Sequence, residues 1–289
     1  MNDLRVSADP NKQQVHDFWQ QASCGEALYL DGTEQESYRR QAERRYQLEP
    51  YIADLARFES TAGQEVLEIG VGLGADHQRF AECGARLTGV DLTNRAVEHT
   101  QRRLGAFGLA SRLSTGDAEA LAFPDGSFDV VYSWGVLHHS PNTPQALREV
   151  LRVLKPGGEA RIMIYHTWSI VGFMLWVRYG LLALKPWRTL GSIYAEHLES
   201  PGTKAYSMAE AQQLLAGFED ISIRTQLTHG DLLESGAGQR HRGALLAAAR
   251  AMWPRSLIRR ALPQYGLFML IRARKPACRT SAAAVASGR

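Results

Sequence analysis

The apolar positions of this chain change rhythm partway along it. In residues 34–57, EQESYRRQAERRYQLEPYIADLAR, Tyr38, Ala42 and Tyr46 recur every four residues, and Leu48, Tyr51, Ile52 and Leu55 keep a helical spacing. This predicts an amphipathic helix interrupted near Pro50, where the ring removes a backbone donor. From residue 65 short apolar runs take over, at 65–70, 86–91, 128–133 and 159–165, with a weaker one at 111–117. Helical stretches fill 75–83, 93–105 and 143–153 between them. Strands alternating with helices predict βαβ units and a parallel sheet. Residues 221–228 (ISIRTQLT) alternate strictly, and 265–273 (YGLFMLIRA) form a long apolar run. These add a sixth and a seventh strand, expected as an antiparallel edge hairpin on an otherwise parallel α/β sheet.

The pattern divides the chain. Residues 1–60 are expected to form a helical lead-in that covers a ligand site, 61–275 the main domain, and 276–289 a disordered tail without apolar period. Two segments exceed a minimal sheet-and-helix core: 166–206 after the fifth strand, and 229–264 between the last two strands.

Composition narrows the class. A chain of 289 residues, 45% hydrophobic and 22% charged, buries one enlarged α/β core. Cys24, Cys83 and Cys278 lie far apart with no CxxC pair, so neither a metal site nor a disulfide framework is expected. The first residues, MNDLRVSADPNKQQ, have no apolar core of the signal-peptide kind, and the cytoplasm is the expected location. The net charge of +3 is unevenly spread. No Asp or Glu follows Glu234, whereas eleven Lys or Arg do. A one-signed block suits an anionic partner or a solvated basic face.

The strongest chemical signal is VLEIGVGLGAD at 66–76. Gly70, Gly72 and Gly74 follow an apolar strand and open a helix, so the backbone can approach a ligand and free N–H groups face it. The spacing is GxGxG, not the GxGxxG of dinucleotide binders. Glu68, two residues before the first glycine, would repel a pyrophosphate but suits the ammonium of a methionine moiety. The next strand ends in Asp91, placed to accept ribose hydroxyls. The third ends in Asp117, followed by Ala118, a setting for an adenine ring and its amino group.

These segments, with GDAEALAFPDGSFDVVYSWGVLHH (116–139) and REVLRVLKPGGEARIM (148–163), resemble the class I methyltransferases, in particular the ubiquinone/menaquinone-biosynthesis-like and methyltransferase-11-like groups. VHDFWQQASCG (15–25) is similar to a lead-in carried by a subset of them, with Ala22-Ser23 where that subset has Asn-Pro. The resemblance implies a Rossmann-like fold and S-adenosylmethionine as cofactor. It implies contacts from Glu68, Gly70, Val71, Gly72, Gly74, Asp91, Leu92, Asp117 and Ala118, with Ser133 and Trp134 on the neighbouring strand.

On the acceptor side, His138 and His139 are the only adjacent histidines, and Tyr165 and His166 end the fifth strand on the same sheet edge. All four are candidate proton-transfer groups. Phe18, Trp19 and Tyr29 can enclose a sulfonium or an acceptor. Residues 167–184, TWSIVGFMLWVRYGLLAL, carry Arg178 as their only charge. They read as a lid over the acceptor, with Phe173 and Trp176 lining it, or as a membrane-surface contact. Arg240 and Arg242 are candidates to hold an anionic group. The reading that emerges is a small-molecule methyltransferase. Nucleic-acid methylation lacks the Asn/Asp-Pro-Pro-Tyr/Phe motif after strand four. The same residues would also suit a membrane-associated lipid methyltransferase or a non-catalytic cofactor-binding protein. Acceptor and oligomeric state are not legible.

Overall fold

A computed structural model of the chain describes residues 9–234 and 250–277. Seven strands form one sheet: β1 (Glu65–Ile69), β2 (Arg86–Asp91), β3 (Arg112–Thr115), β4 (Phe128–Trp134), β5 (Leu154–Tyr165), β6 (Glu219–Gln226) and β7 (Phe268–Arg274), in the order β3-β2-β1-β4-β5-β7-β6. β1 to β5 pair in parallel, and β7 runs antiparallel between β5 and β6. The two last strands are therefore an antiparallel pair, with β6 at the rim.

Helices cover the sheet and approach its carboxyl edge. The lead-in forms α1 (Pro10–Gln21), α2 (Glu26–Tyr29), α3 (Gln35–Leu48) and α4 (Ile52–Ala56), the last two divided at Pro50 as the spacing predicts. α5 (Ala75–Glu82), α6 (Asn94–Ala106) and α7 (Thr143–Val153) are the crossovers. Local chemistry explains their starts: the side chains of Thr93 and Asn142 cap α6 and α7 by accepting from the amides of Ala96 and Gln145. α7 buries Ala146, Leu147, Val150 and Val153 along one stripe against β4 and β5.

The first insertion holds α8 (Ile170–Trp176), a π turn over Val177–Leu181, and α9 (Leu190–His197). α10 (Met208–Leu214) then leads to β6, and α11 (Arg255–Ala261) precedes β7. β5 begins at Leu154, five residues before the run that predicted it, because the Phe128–Leu154 pair precedes a register shift across Lys-Pro-Gly-Gly. β7 begins at Phe268 because Pro263–Tyr265 closes into a short helical turn. Most of the tail expected to be disordered, 278–289, lies outside the described residues, as do Arg240 and Arg242.

Strand order reverses between β1 and β4. In open α/β sheets, ligands bind beyond the carboxyl ends of the strands at such a point.

Candidate active site

A cavity of about 920 Å³ opens at this switch point. Glu68, Gly70, Val71, Gly72, Gly74, Asp91, Leu92, Asp117, Ala118 and Trp134 all line it, as do Phe18, Trp19 and Tyr29 from the lead-in and Phe173 from α8. One end is thus built from the loops after β1, β2 and β3, the other from β4, β5 and the insertion.

The glycine loop is shaped for close approach. Gly70 has φ 85°, and a Cβ there would lie 2.1 Å from Val136 Cγ2. Gly72 has φ 52° and open space where a Cβ would point. The Gly72 amide donates to Asp91 Oδ2 at 3.2 Å, while Asp91 Oδ1 accepts from the amide and hydroxyl of Thr93 at 3.0 and 2.9 Å. Burial lifts the Asp91 carboxyl above the usual range, and these donors oppose it. Asp117 Oδ1 accepts the Glu119 amide, and Lys12 Nζ bridges Asp117 Oδ2 at 2.6 Å and Glu119 Oε2 at 2.7 Å. α1 is thereby tied to the loop after β3. Free loop space beside Gly72 and a carboxylate at each of three successive strand ends fit a nucleoside bearing an amino-acid arm.

Glu68 is 3% exposed and meets His77 Nδ1 at 2.8 Å. Burial presses His77 down to about 3 and raises Glu68 well above the carboxylate range. A neutral carboxyl donating to a neutral imidazole satisfies both groups, and an arriving ammonium would favour the ionised Glu68. Nearby, Arg45 grips Asp76 at 3.0 and 2.7 Å, while Tyr132 and Tyr46 donate to the same carboxylate at 2.8 and 3.1 Å. Burial favours protonation of Asp76, but Arg45 and these donors hold it below the usual range. Arg45 from α3 and Glu49 just beyond its end also line the cavity. The lead-in spacing marks both only as polar helix positions.

At the acceptor end Trp134 stacks on Tyr51 at 6.0 Å and meets Phe268 edge-on at 5.7 Å, and Phe268 stacks on Tyr165 at 5.8 Å. Tyr165 Oη donates to Glu199 Oε2 at 2.7 Å. His139 Nε2 lies 3.2 Å from that same oxygen. His139 Nδ1 faces Ser200 Oγ at 2.8 Å and Thr203 Oγ1 at 3.1 Å. Thr203 already donates to the Ser200 carbonyl at 2.6 Å, so the Ser200 hydroxyl is the available donor to Nδ1, which leaves the proton on Nε2, close to Glu199 but without hydrogen-bond geometry to it. Tyr165, His139 and Glu199 all line the cavity. Burial and the adjacent Glu199 hold the Tyr165 hydroxyl well above its ordinary pKa, so it stays a phenol.

Four expected site residues are placed elsewhere. His138 is fully buried, tilted against the rings of Tyr165 at 4.0 Å and His139 at 4.3 Å, and held neutral by burial rather than facing the cavity. His166 is buried beside β7, its Nδ1 3.2 Å from the Gly266 carbonyl. Ser133 Oγ donates to the Ile69 carbonyl at 3.0 Å, joining β4 to β1 beneath the site. Trp176 does not line the cavity: it stacks on Phe173 at 6.5 Å and packs into the cluster around Leu175 and Tyr194. In most of these cases the partner that claims the side chain is remote in sequence. Glu199 is the reverse case: in the sequence it is one carboxylate of an insertion. The segment after α9 carries it back to the loop after β4 by donating the Lys204 amide to the His138 carbonyl at 3.1 Å.

Comparison with known proteins agrees with this geometry. A family model described as a methyltransferase domain matches residues 67–162. The chain is 33% identical over 168 residues to the demethylmenaquinone methyltransferase of Tropheryma whipplei, covering 56% of this chain and 69% of that one. It is 35% identical over 108 residues to the 2-methyl-6-phytyl-1,4-hydroquinone methyltransferase of Synechocystis, covering 37% and 33%. In fold it is similar to Haemonchus contortus phosphoethanolamine N-methyltransferase 2 in complex with S-adenosylhomocysteine, with TM-score 0.57 and 19% identity over 91% of this chain and 60% of that one. The chain thus belongs to the class I S-adenosylmethionine-dependent methyltransferases and is a small-molecule type of methyltransferase, with S-adenosylmethionine as its methyl donor.

Proposed function

We propose that this enzyme methylates a small, largely apolar acceptor with an acidic O–H or C–H, and that Glu199 takes the acceptor's proton. The observation that carries this reading is the Tyr165–Glu199–His139 cluster: one carboxylate oxygen at the cavity wall accepts the Tyr165 hydroxyl at 2.7 Å and has His139 Nε2 3.2 Å away, without hydrogen-bond geometry. The aromatic wall of Trp134, Phe268 and Tyr165 and the apolar side chains of α8 suit a ring or chain of low polarity. Relatives named for demethylmenaquinone and for a phytyl hydroquinone support an acceptor of that chemical type.

Bound S-adenosylmethionine supplies an electrophilic methyl group on sulfur. When it is bound, Glu68 would hold the ammonium, Gly70 to Gly74 would pass close to the amino-acid arm, Asp91 would accept from the ribose, and Asp117 with Leu92 and Ala118 would take the adenine. The lead-in, through Phe18, Trp19 and Tyr29, closes the donor side, and α8 and Phe173 roof the acceptor. Tyr165 acts as donor, not base: its hydroxyl orients Glu199. His139, held by the Ser200 hydroxyl at Nδ1, lies beside the same carboxylate. The acceptor's proton would pass to Glu199, and the methyl group would leave sulfur for the acceptor with S-adenosylhomocysteine as the other product.

The test is methyl transfer from a labelled donor to a panel of hydroquinones and related phenols. Glu199→Gln is expected to lower kcat about 100-fold or more, the usual size of a general-base contribution, with S-adenosylhomocysteine affinity unchanged. Tyr165→Phe should lower kcat by about 10-fold, as loss of one hydrogen bond to a charged group implies. Undiminished kcat in Glu199→Gln would remove the carboxylate from the mechanism.

A further inference from the structure

The first insertion exposes apolar side chains where a folded domain ordinarily hides them. Residues 181–187, LLALKPW, are all exposed. Leu182 is 63% exposed, Leu184 82% and Trp187 74%, and Trp168 and Phe173 are each 61% exposed. Scattered apolar residues on a surface need no explanation, but a continuous run of this kind does.

This run is a built feature. The amides of Leu182 and Lys185 donate to the carbonyls of Val177 and Gly180, each at 2.8 Å, and that of Leu184 to Leu181 at 3.1 Å. The loop is a helix C-cap, and Leu184 occupies its left-handed position with φ 56°. Glycine is the usual residue there; here a leucine is held in an unfavourable conformation with its side chain in solvent. That arrangement gains nothing from packing within the chain.

The loop's own charges have one sign. The sequence has no Asp or Glu between Glu159 and Glu196, whereas Arg178, Lys185 and Arg188, with Arg161 in β5, fall in that stretch. Arg188 pairs with Glu196 at 2.8 Å. Arg178 and Lys185 make no ion pair among the described residues, and both are exposed. Phe173, Arg178 and Leu182 also line the cavity, so its mouth lies within this surface. Among the described residues no helix is long and apolar enough to cross a membrane.

We propose that this loop docks the enzyme on an anionic lipid bilayer, with Leu184 and Trp187 inserted among the headgroups and Lys185 and Arg178 facing lipid phosphates. The cavity mouth then opens onto the bilayer. An acceptor dissolved in lipid enters without crossing water; this entry route rests on the apolar-acceptor reading, whereas the docking does not. Aromatic and leucine side chains beside cations without a carboxylate partner are the chemistry that binds such an interface.

Co-sedimentation with phosphatidylglycerol-containing vesicles, against pure phosphatidylcholine, tests it. The chain should partition to the anionic vesicles, and Leu184→Asp and Trp187→Ser should each weaken that partition about 10-fold. Lys185→Glu should weaken it on the anionic vesicles. None of these three residues lines the cavity, so kcat on a detergent-dispersed acceptor should be unchanged in all of them. Absence of vesicle binding, or equal binding by the variants, would overturn the proposal. So would a dimer in solution that Leu184→Asp converts to monomer while vesicle binding is absent, since a second copy would then cover the loop. Vesicle binding without methyl transfer would count against the acceptor reading and leave the docking in place.

Discussion

Gly70 and Gly72 sit two residues apart in one loop and answer to different constraints. At Gly70 the backbone is left-handed at φ 85° and a methyl would fall 2.1 Å from Val136. Gly70→Ala is therefore expected to damage folding: adding atoms to a close-packed contact costs about 1–3 kcal/mol or more. At Gly72 the space is open and φ is 52°, so alanine carries only the cost of the left-handed region, about 1–2 kcal/mol. Gly72→Ala should fold and lose cofactor, because Gly72 lines the cavity and a methyl there meets no protein atom. Thermal melts and calorimetric titration with S-adenosylhomocysteine separate the two. A Gly72→Ala protein with undiminished affinity would show that the cofactor does not pass close to this residue.

At the scale of the element, α1 is held down by a buried cation. Lys12, 6% exposed, is the partner of both Asp117 and Glu119. Removing one member of a buried ion pair strands the others, and the full penalty of about 3–5 kcal/mol is reduced here because Asp117 keeps some contact with solvent. Lys12→Met is expected to lower unfolding free energy by about 1–3 kcal/mol and to weaken S-adenosylhomocysteine binding, because Val15, Phe18 and Trp19 of the same helix line the cavity. Denaturant titration and calorimetry check both effects. Unchanged stability would mean that apolar contacts alone hold α1. Trp19, edge-on to His139 at 5.4 Å, extends the coupling from the donor end to the acceptor end.

For the whole molecule, buried titratable groups set the response to acid. Burial holds His77 neutral down to about 3, while its unfolded counterpart takes a proton below about 6.5. Glu26, hydrogen-bonded by Arg95, is pulled down to about 2 from 4.5. Both make the unfolded chain bind more protons than the folded one, so both remove stability as pH falls. Glu49 acts oppositely: burial pushes it up to about 7, so between 4.5 and 7 the folded chain holds the extra proton. These contributions offset one another from about pH 7 to 4.5. Below 4.5 Glu49 is protonated in both states, and His77 and Glu26 act together. Stability should be nearly level from pH 7 to 5 and then fall steeply toward pH 3. Urea midpoints across that range test the shape; a midpoint constant down to pH 3 would contradict it.

Much of this protein is determined locally. The GxGxG loop, Asp91 and Asp117 are legible because a strand end fixes where the next residue must lie, and a parallel sheet brings successive strand ends to one edge. The break at Pro50 and the α8 insertion follow from the chain's own pattern as well. Assignments that depend on which side chain claims which partner were decided only in three dimensions. His138 and His139 are adjacent in sequence, yet one is enclosed between rings and the other faces the cavity. Glu199 lies 34 residues from Tyr165 and 60 from His139, and no spacing rule connects them. Periodicity records which face of an element is buried. A hydrogen bond between distant segments leaves no periodic trace, so the acceptor chemistry emerged only when the chain folded back on itself.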